Sequence, residues 1–279
     1  MTIPGVRHCL YYPMGALGVV AWLAMAGGPA SGGPAAVAAG DAAAKEPAGV
    51  DLRPRFEKWG LPSRPQGGRP TCSVIVVAGA LEFAIARQEG KATRLSPEFL
   101  NWAANRIGGG QQDGGNFADL WKGFVAHGIC TEGRMPYRAR FEPEQPPDAA
   151  AIDDARARLA APPRLHWIKE WDVKTGLTPA HMAEIKRTLA EGWPVCAGLR
   201  WPHQEQWVDN VLQMCPAEKV FDGHSVLLVG YRDDGSQPGG GVFLLRNSGR
   251  GWPGGAMPYV YAQAYTNDAA WVEPATTGK

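Results

Sequence analysis

Apolar and polar positions divide the chain into three styles. An N-terminal apolar run, residues 16–26 (ALGVVAWLAMA), stands behind Arg7 and His8 and before small residues that include Ala36-Val37-Ala38. A basic start, a brief apolar core and a small-residue exit form the order of a secretory signal, and the run is shorter than the ~20 residues a spanning helix needs. Residues 1–40 are therefore expected to be a signal peptide with an Ala/Gly/Pro-rich segment, and 41–49 a linker. The expected folded domain covers 50–273, with a tail at 274–279. Its location would be secreted or periplasmic, with no stable membrane anchor once the signal is removed.

The middle of the chain carries helical periodicity. Residues 50–70 read as an extended segment broken by prolines, where no helix is expected. Residues 72–89 (CSVIVVAGALEFAIARQE) are the longest apolar stretch of the mature chain. Val74–Val77 alone would suit a strand, but the length and the stop at Gly90 predict a buried helix. LSPEFLNWAANR (95–106) predicts a second helix with Ser96 as N-cap and Pro97 in the first turn. A Gly-rich loop at 108–115, a helix from Phe117 to His127 closed by Gly128, and a Pro-rich loop at 134–150 follow. Residues 151–161 and 179–191 complete the helices.

The last third reads as strands: 194–200, 224–231, 241–246 and 256–265, separated by Gly and Pro. Helices first and strands later predict an α+β protein of two packed halves with a site between them. Hydrophobic residues at 45%, charged residues at 20% and a formal charge of +1 allow a sizeable core and give no electrostatic footprint for nucleic acid. The five cysteines contain no CxxC pair, so no metal site is expected, and no Gly-Lys-Ser/Thr follows the Gly runs to bind phosphate. No cofactor is called for.

Candidate chemistry gathers on a few residues. If 225–231 and 241–247 form a hairpin centred near Ser236, His224 falls opposite 247–248, which brings Asn247 beside it. An Asn in that place fixes the imidazole's tautomer and orientation. Cys72 at a helix start sits at the positive end of the macrodipole, which favours thiolate. The alternatives are a structural thiol or half a disulfide. Gln66, six residues earlier, offers an amide to a developing oxyanion. Glu82 inside the apolar helix needs a buried partner.

These segments carry a resemblance. QGGRPTCS resembles the active-site segment of the papain family of cysteine peptidases. VDLR, LSPEFL, DGGNFADL, GICTEGRMPYR, GHSVLLVGY and RNSGRGW match further family segments in the same order, from about Val50 to Val272. The resemblance implies a two-lobed fold, with a helical N-terminal lobe, an antiparallel β-barrel-like C-terminal lobe and the site in the cleft between. It implies Cys72 as nucleophile, His224 as its acid–base partner, Asn247 as orienter and Gln66 with the Cys72 N–H as oxyanion donors. Gly114, Gly115, Ser248 and Trp252 would meet an extended peptide or protein substrate.

Three features depart from the family. Ser73 stands where Trp usually follows the nucleophile. Asn247-Ser248-Gly249-Arg250 is one residue short and lacks its Trp. Arg69 and Pro70 occupy the place of a half-cystine before the nucleophile. Only the linker separates the expected signal from Val50, so restraint is expected from low intrinsic activity, a separate protein inhibitor or a narrow substrate instead of from a pro-segment. Cys196 and Cys215 are candidates for a disulfide, the alternative being free thiols. A catalytically weak peptide-binding module and an amide-transfer enzyme stay open beside the peptidase.

Overall fold

The computed structural model describes residues 47–249 and 254–274. The expected signal, residues 41–46 of the expected linker, the tail beyond 274 and Trp252 lie outside the described residues, whereas the end of that linker is described and Gly49 already pairs with Arg232 in the sheet. Among the described residues no helix is long and apolar enough to cross a membrane.

The helical half begins with β1 (Gly49–Asp51) and α1 (Arg53–Lys58), then α2 (Cys72–Glu89), α3 (Pro97–Gly108), α4 (Phe117–His127) and α5 (Ala149–Ala157). In α2, 14 of 18 residues are buried, and this decides the conflict between its β-branched start and its helical length. A helix wrapped on all sides keeps its shape whatever the local propensity of Val and Ile. Gly90 ends it in the left-handed conformation, at φ 74°. The expected Ser96 cap forms, its hydroxyl accepting from Phe99 N, and the Asn116 side chain caps α4 in the same way by accepting from Asp119 N.

α3 and α4 approach closely at Gly123, where a Cβ would stand 2.5 Å from Ala104 N and 2.7 Å from Ala103 C. Both obstacles are backbone and cannot rotate away. Gly123→Ala is therefore expected to destabilise the protein by about 1–3 kcal/mol. Urea unfolding at an unchanged slope would show the lowered midpoint.

The second half contains β2 (Arg164–Lys169), α6 (Pro179–Ala190), β3 (Val195–Pro202), β4 (Trp207–Val208), β5 (Val211–Leu212), β6 (Val220–Asp233), β7 (Gly241–Arg246), β8 (Gly254–Pro258), α7 (Tyr259–Tyr265) and β9 (Thr266–Glu273). Eight strands follow the order β2-β9-β3-β6-β7-β8-β5-β4, and β1 adds to β6. The sheet stays open, so the lobe is barrel-like without being closed. The continuous core lies where α2 meets β6, β3 and β9, and joins both halves.

Three expectations are corrected. The 50–70 segment is not wholly extended: α1 forms, because Pro54 lies in the first turn, where a backbone N–H has no intrahelical partner. Residues 256–265 are not one strand: Pro258 cannot extend the ladder, and Tyr259–Tyr265 turn into a helix that buries Tyr259, Tyr261 and Tyr265. Cys196 and Cys215 do not pair, and no disulfide joins any of the four described cysteines. Cys196 is fully buried on β3, with Sγ 3.9 Å from Val76 O of α2, whereas Cys215 lies half-buried in the loop after β5. Burial pushes both thiols up, and lifts Cys130 to about 11.

Candidate active site

The site is built where the start of α2 meets the sheet. Cys72 is the first residue of α2, after Thr71, and is completely buried. β6 carries His224, and the turn after β7 carries Asn247. The His224 Nε2–H donates to Asn247 Oδ1 at 3.0 Å, which leaves the other ring nitrogen for the sulfur, and a hydrogen bond joins Cys72 to the imidazole. Asn247 Oδ1 also accepts from Ser248 N at 2.8 Å and Gly249 N at 3.3 Å, so its orientation is fixed from two directions. Burial works against the charged imidazole. The hydrogen bond and charge of Cys72, the Asn247 hydrogen bond and the Glu205 carboxylate outweigh it, and His224 is held above the ordinary histidine value.

Gln66 is held equally firmly. Its N–H donates to Ser248 O at 2.9 Å, its Oε1 accepts from the Ser248 hydroxyl at 2.9 Å, and its Nε2 donates to Arg69 O at 2.8 Å. One amide hydrogen is spent on that carbonyl; the second remains for an oxyanion. Ser248, expected at the substrate, is instead buried behind Gln66 and positions it.

The glycine pair splits in the same way. Gly114 is buried, has φ 100°, and gives its N–H to Asn101 Oδ1 at 3.0 Å. A Cβ on it would stand 2.1 Å from Pro70 O, so only glycine lets this loop lie against the segment before Cys72. Gly115 is the half-exposed member, with open space where a Cβ would point.

A buried ion network ties these loops together. The Arg69 guanidinium, three residues before Cys72, donates from Nη1 to Glu98 at 2.5 Å and to Arg138 O at 2.9 Å. From Nη2 and Nε it reaches Asp113 at 2.7 and 3.0 Å. Asp113 precedes Gly114, and Glu98 lies in the first turn of α3. The Tyr137 hydroxyl bonds to Gln66 O at 2.9 Å and to Thr71 Oγ1 at 2.5 Å, with Arg69 over its ring. Below, Glu82 accepts from Arg64 at 2.8 Å, Arg94 at 3.1 Å and Leu95 N at 2.9 Å, which are the partners its burial demands.

Residues 47–272 match the family described as papain family cysteine protease. The chain belongs to the papain family of cysteine proteases. No curated protein matches it. Among solved structures it is similar to xylellain, a cysteine protease from Xylella fastidiosa, at 22% identity and TM-score 0.61, over 81% of this chain and 86% of that one. It is similar to digestive procathepsin L 3 of Tenebrio molitor larval midgut at 19% identity and TM-score 0.58, over 83% and 71%. A structure bearing on the mite allergens Blo t 1 and Der p 1 matches at 18% identity and TM-score 0.61, over 86% and 74%. At these identities the likeness speaks for the papain fold.

Two residues near His224 escaped sequence reasoning as site members. Trp201 of β3 is buried, and its ring lies 4.7 Å from that of His224. Its indole N–H donates to Glu205 at 2.7 Å, and Trp207 donates to the other carboxylate oxygen at 2.8 Å. The meeting of Trp201 with His224 depends on the β3–β6 register, in which Leu199 faces His224. Ser73, in place of the family's Trp, is buried, with its hydroxyl unpartnered among the described residues.

Proposed function

We propose that this papain-family chain hydrolyses peptide bonds in the cell envelope or outside the cell, with Cys72 as nucleophile. The observation that carries this is the relay from Cys72 at the start of α2 through His224 to Asn247, with the second histidine hydrogen bond at 3.0 Å. The Cys72 thiolate attacks the scissile carbonyl carbon. Negative charge then gathers on the carbonyl oxygen, which the Cys72 N–H and the remaining Gln66 amide hydrogen receive. His224 delivers its proton to the leaving amine as the C–N bond breaks, leaving an acyl thioester. It then takes a proton from water, which attacks the thioester and frees the acid and the thiol. An extended substrate would pass Gly115. The apolar run at 16–26 supports export.

The test is to treat the full-length chain with a peptidyl epoxide and map the adduct. An adduct on Cys72, lost in His224→Ala, is expected; an unmodified Cys72 in folded protein would reject the nucleophile. Because Cys72 is fully buried, a peptide must displace covering groups to reach it. That burial favours a second reading, a peptide-binding module with little turnover. Peptide affinity equal in wild type and Cys72→Ala, with no cleavage by either, would select the module.

The pH dependence follows from the raised histidine. The imidazolium exists below its own pKa and is lost as pH rises through it. The alkaline limb of kcat/KM is therefore expected above pH ~6.5, the ordinary histidine value. Asn247→Ala should move that limb down and lower kcat/KM by about 10- to 100-fold. A limb that does not move would show that Asn247 does not act on the imidazole.

A further inference from the structure

We propose that Glu205 is a specificity residue that selects a cationic side chain immediately after the scissile bond. This rests on the reading of Cys72 and His224 as the cleaving pair. The amine released on acylation is protonated by His224, so the part of the peptide beyond the cut lies on the His224 side of the sulfur. Trp201 and Glu205 are built on that side. The Trp201 ring packs on the imidazole at 4.7 Å, and its indole holds one oxygen of Glu205 at 2.7 Å.

Trp207 holds the other oxygen at 2.8 Å. It is placed by a two-residue hairpin: Asp209 and Asn210 take φ 48° and 64° between the paired strands β4 and β5. Asn and Asp tolerate that left-handed turn. Two indole donors thus fix an exposed carboxylate beside the histidine. Among the described residues no lysine, arginine or histidine forms an ion pair with it. Its charge already reaches His224, where it favours the imidazolium. Each oxygen keeps a lone pair, so an incoming guanidinium or ammonium can bind without breaking the indole contacts.

The experiment uses three peptides, alike up to a mapped cut and carrying Arg, Leu or Glu just beyond it. Wild type is expected to cleave the Arg peptide about three- to five-fold better in kcat/KM than the Leu peptide, the size of an exposed ion pair, with the Glu peptide slowest. Glu205→Gln, which keeps an acceptor for Trp201, should bring the Arg:Leu ratio to near one. Salt at ~1 M should do the same to wild type. All three peptides meet the same His224, so the ratio cancels any change in its basicity. An Arg:Leu ratio of one in wild type, or one that Glu205→Gln leaves unchanged, overturns the proposal.

If no peptide is cleaved and the epoxide leaves Cys72 unmodified, it is the peptidase reading that fails. The affinities of the same peptides for Cys72→Ala and for Cys72→Ala/Glu205→Gln then decide. Loss of a cationic preference in the double variant supports the proposal, and equal preferences overturn it.

Discussion

Replacing Arg69 by Met is expected to lower the stability of the protein by about 3–5 kcal/mol and to cut kcat/KM even in the folded fraction. The guanidinium is 3% exposed and Glu98 is 4% exposed, so removing the cation strands a buried carboxylate beside Asp113. The backbone loses more than charge. Arg69 joins the loop before Cys72 to α3 through Glu98, to the Gly114–Gly115 loop through Asp113 and to the 138 carbonyl. In the papain family a half-cystine stands at this place; here a fork of hydrogen bonds holds the same segment without one. Lys offers a single point of charge and cannot reproduce the fork, so Arg69→Lys should rescue little. The triple variant Arg69→Met/Glu98→Gln/Asp113→Asn removes the stranded charges and should regain part of the stability. If Arg69 also positions the loop before Cys72, kcat/KM stays low in that variant. Denaturant midpoints and kinetics on the same samples separate the two effects. A triple variant with full activity would reduce Arg69 to a structural role.

What the sequence conveyed and what it withheld divide along a physical line. Features set by local chemistry were legible. Ser96-Pro97 and the Gly90 and Gly128 stops mark helix ends through groups within four residues, and the helices of the fold begin and end there. The His224–Asn247 meeting was legible because one hairpin connects them. A bulge between Leu228 and Gly230 shifts its register by one residue, within the margin of the estimate. Features set by distant partners were not legible. β2 and β9 find each other across the sheet, Arg164 facing Glu273, with no turn between them to announce the pair. The alternation in Met257-Pro258-Tyr259-Val260-Tyr261 imitates a strand, yet those tyrosines are buried equally well by α7. In the site, the ordered family segments pointed to Cys72, but the place of Trp201 depends on the β3–β6 register and that of Glu205 on two indole contacts, neither of which spacing announces. The disulfide expectation went wrong for a related reason. Spacing cannot show that Cys196 points beneath α2.

His224→Ala is expected to reduce kcat for peptide hydrolysis by about 10⁴-fold or more while leaving the fold in place. Three contributions end together. The sulfur loses the hydrogen-bonded partner that favours its anion, the leaving amine loses its proton donor, and the deacylating water loses its base. Groups that act as one unit show such losses without additivity, so His224→Ala combined with Asn247→Ala should be hardly slower than His224→Ala alone. Stability should change little in comparison, because His224 is only half-buried and the sheet around it is continuous through Val226–Val229, which are all buried. The kinetic signature matters more than its size. His224 acts on the reacting atoms and not on the rest of the bound peptide, so KM should stay within a few-fold while kcat collapses. The rate should also lose the alkaline limb assigned to the imidazolium, leaving a shallow dependence on the unassisted thiol. Retained activity with the limb unmoved would detach the chemistry from His224 and leave the hydrogen bond to Asn247 as a feature of the scaffold.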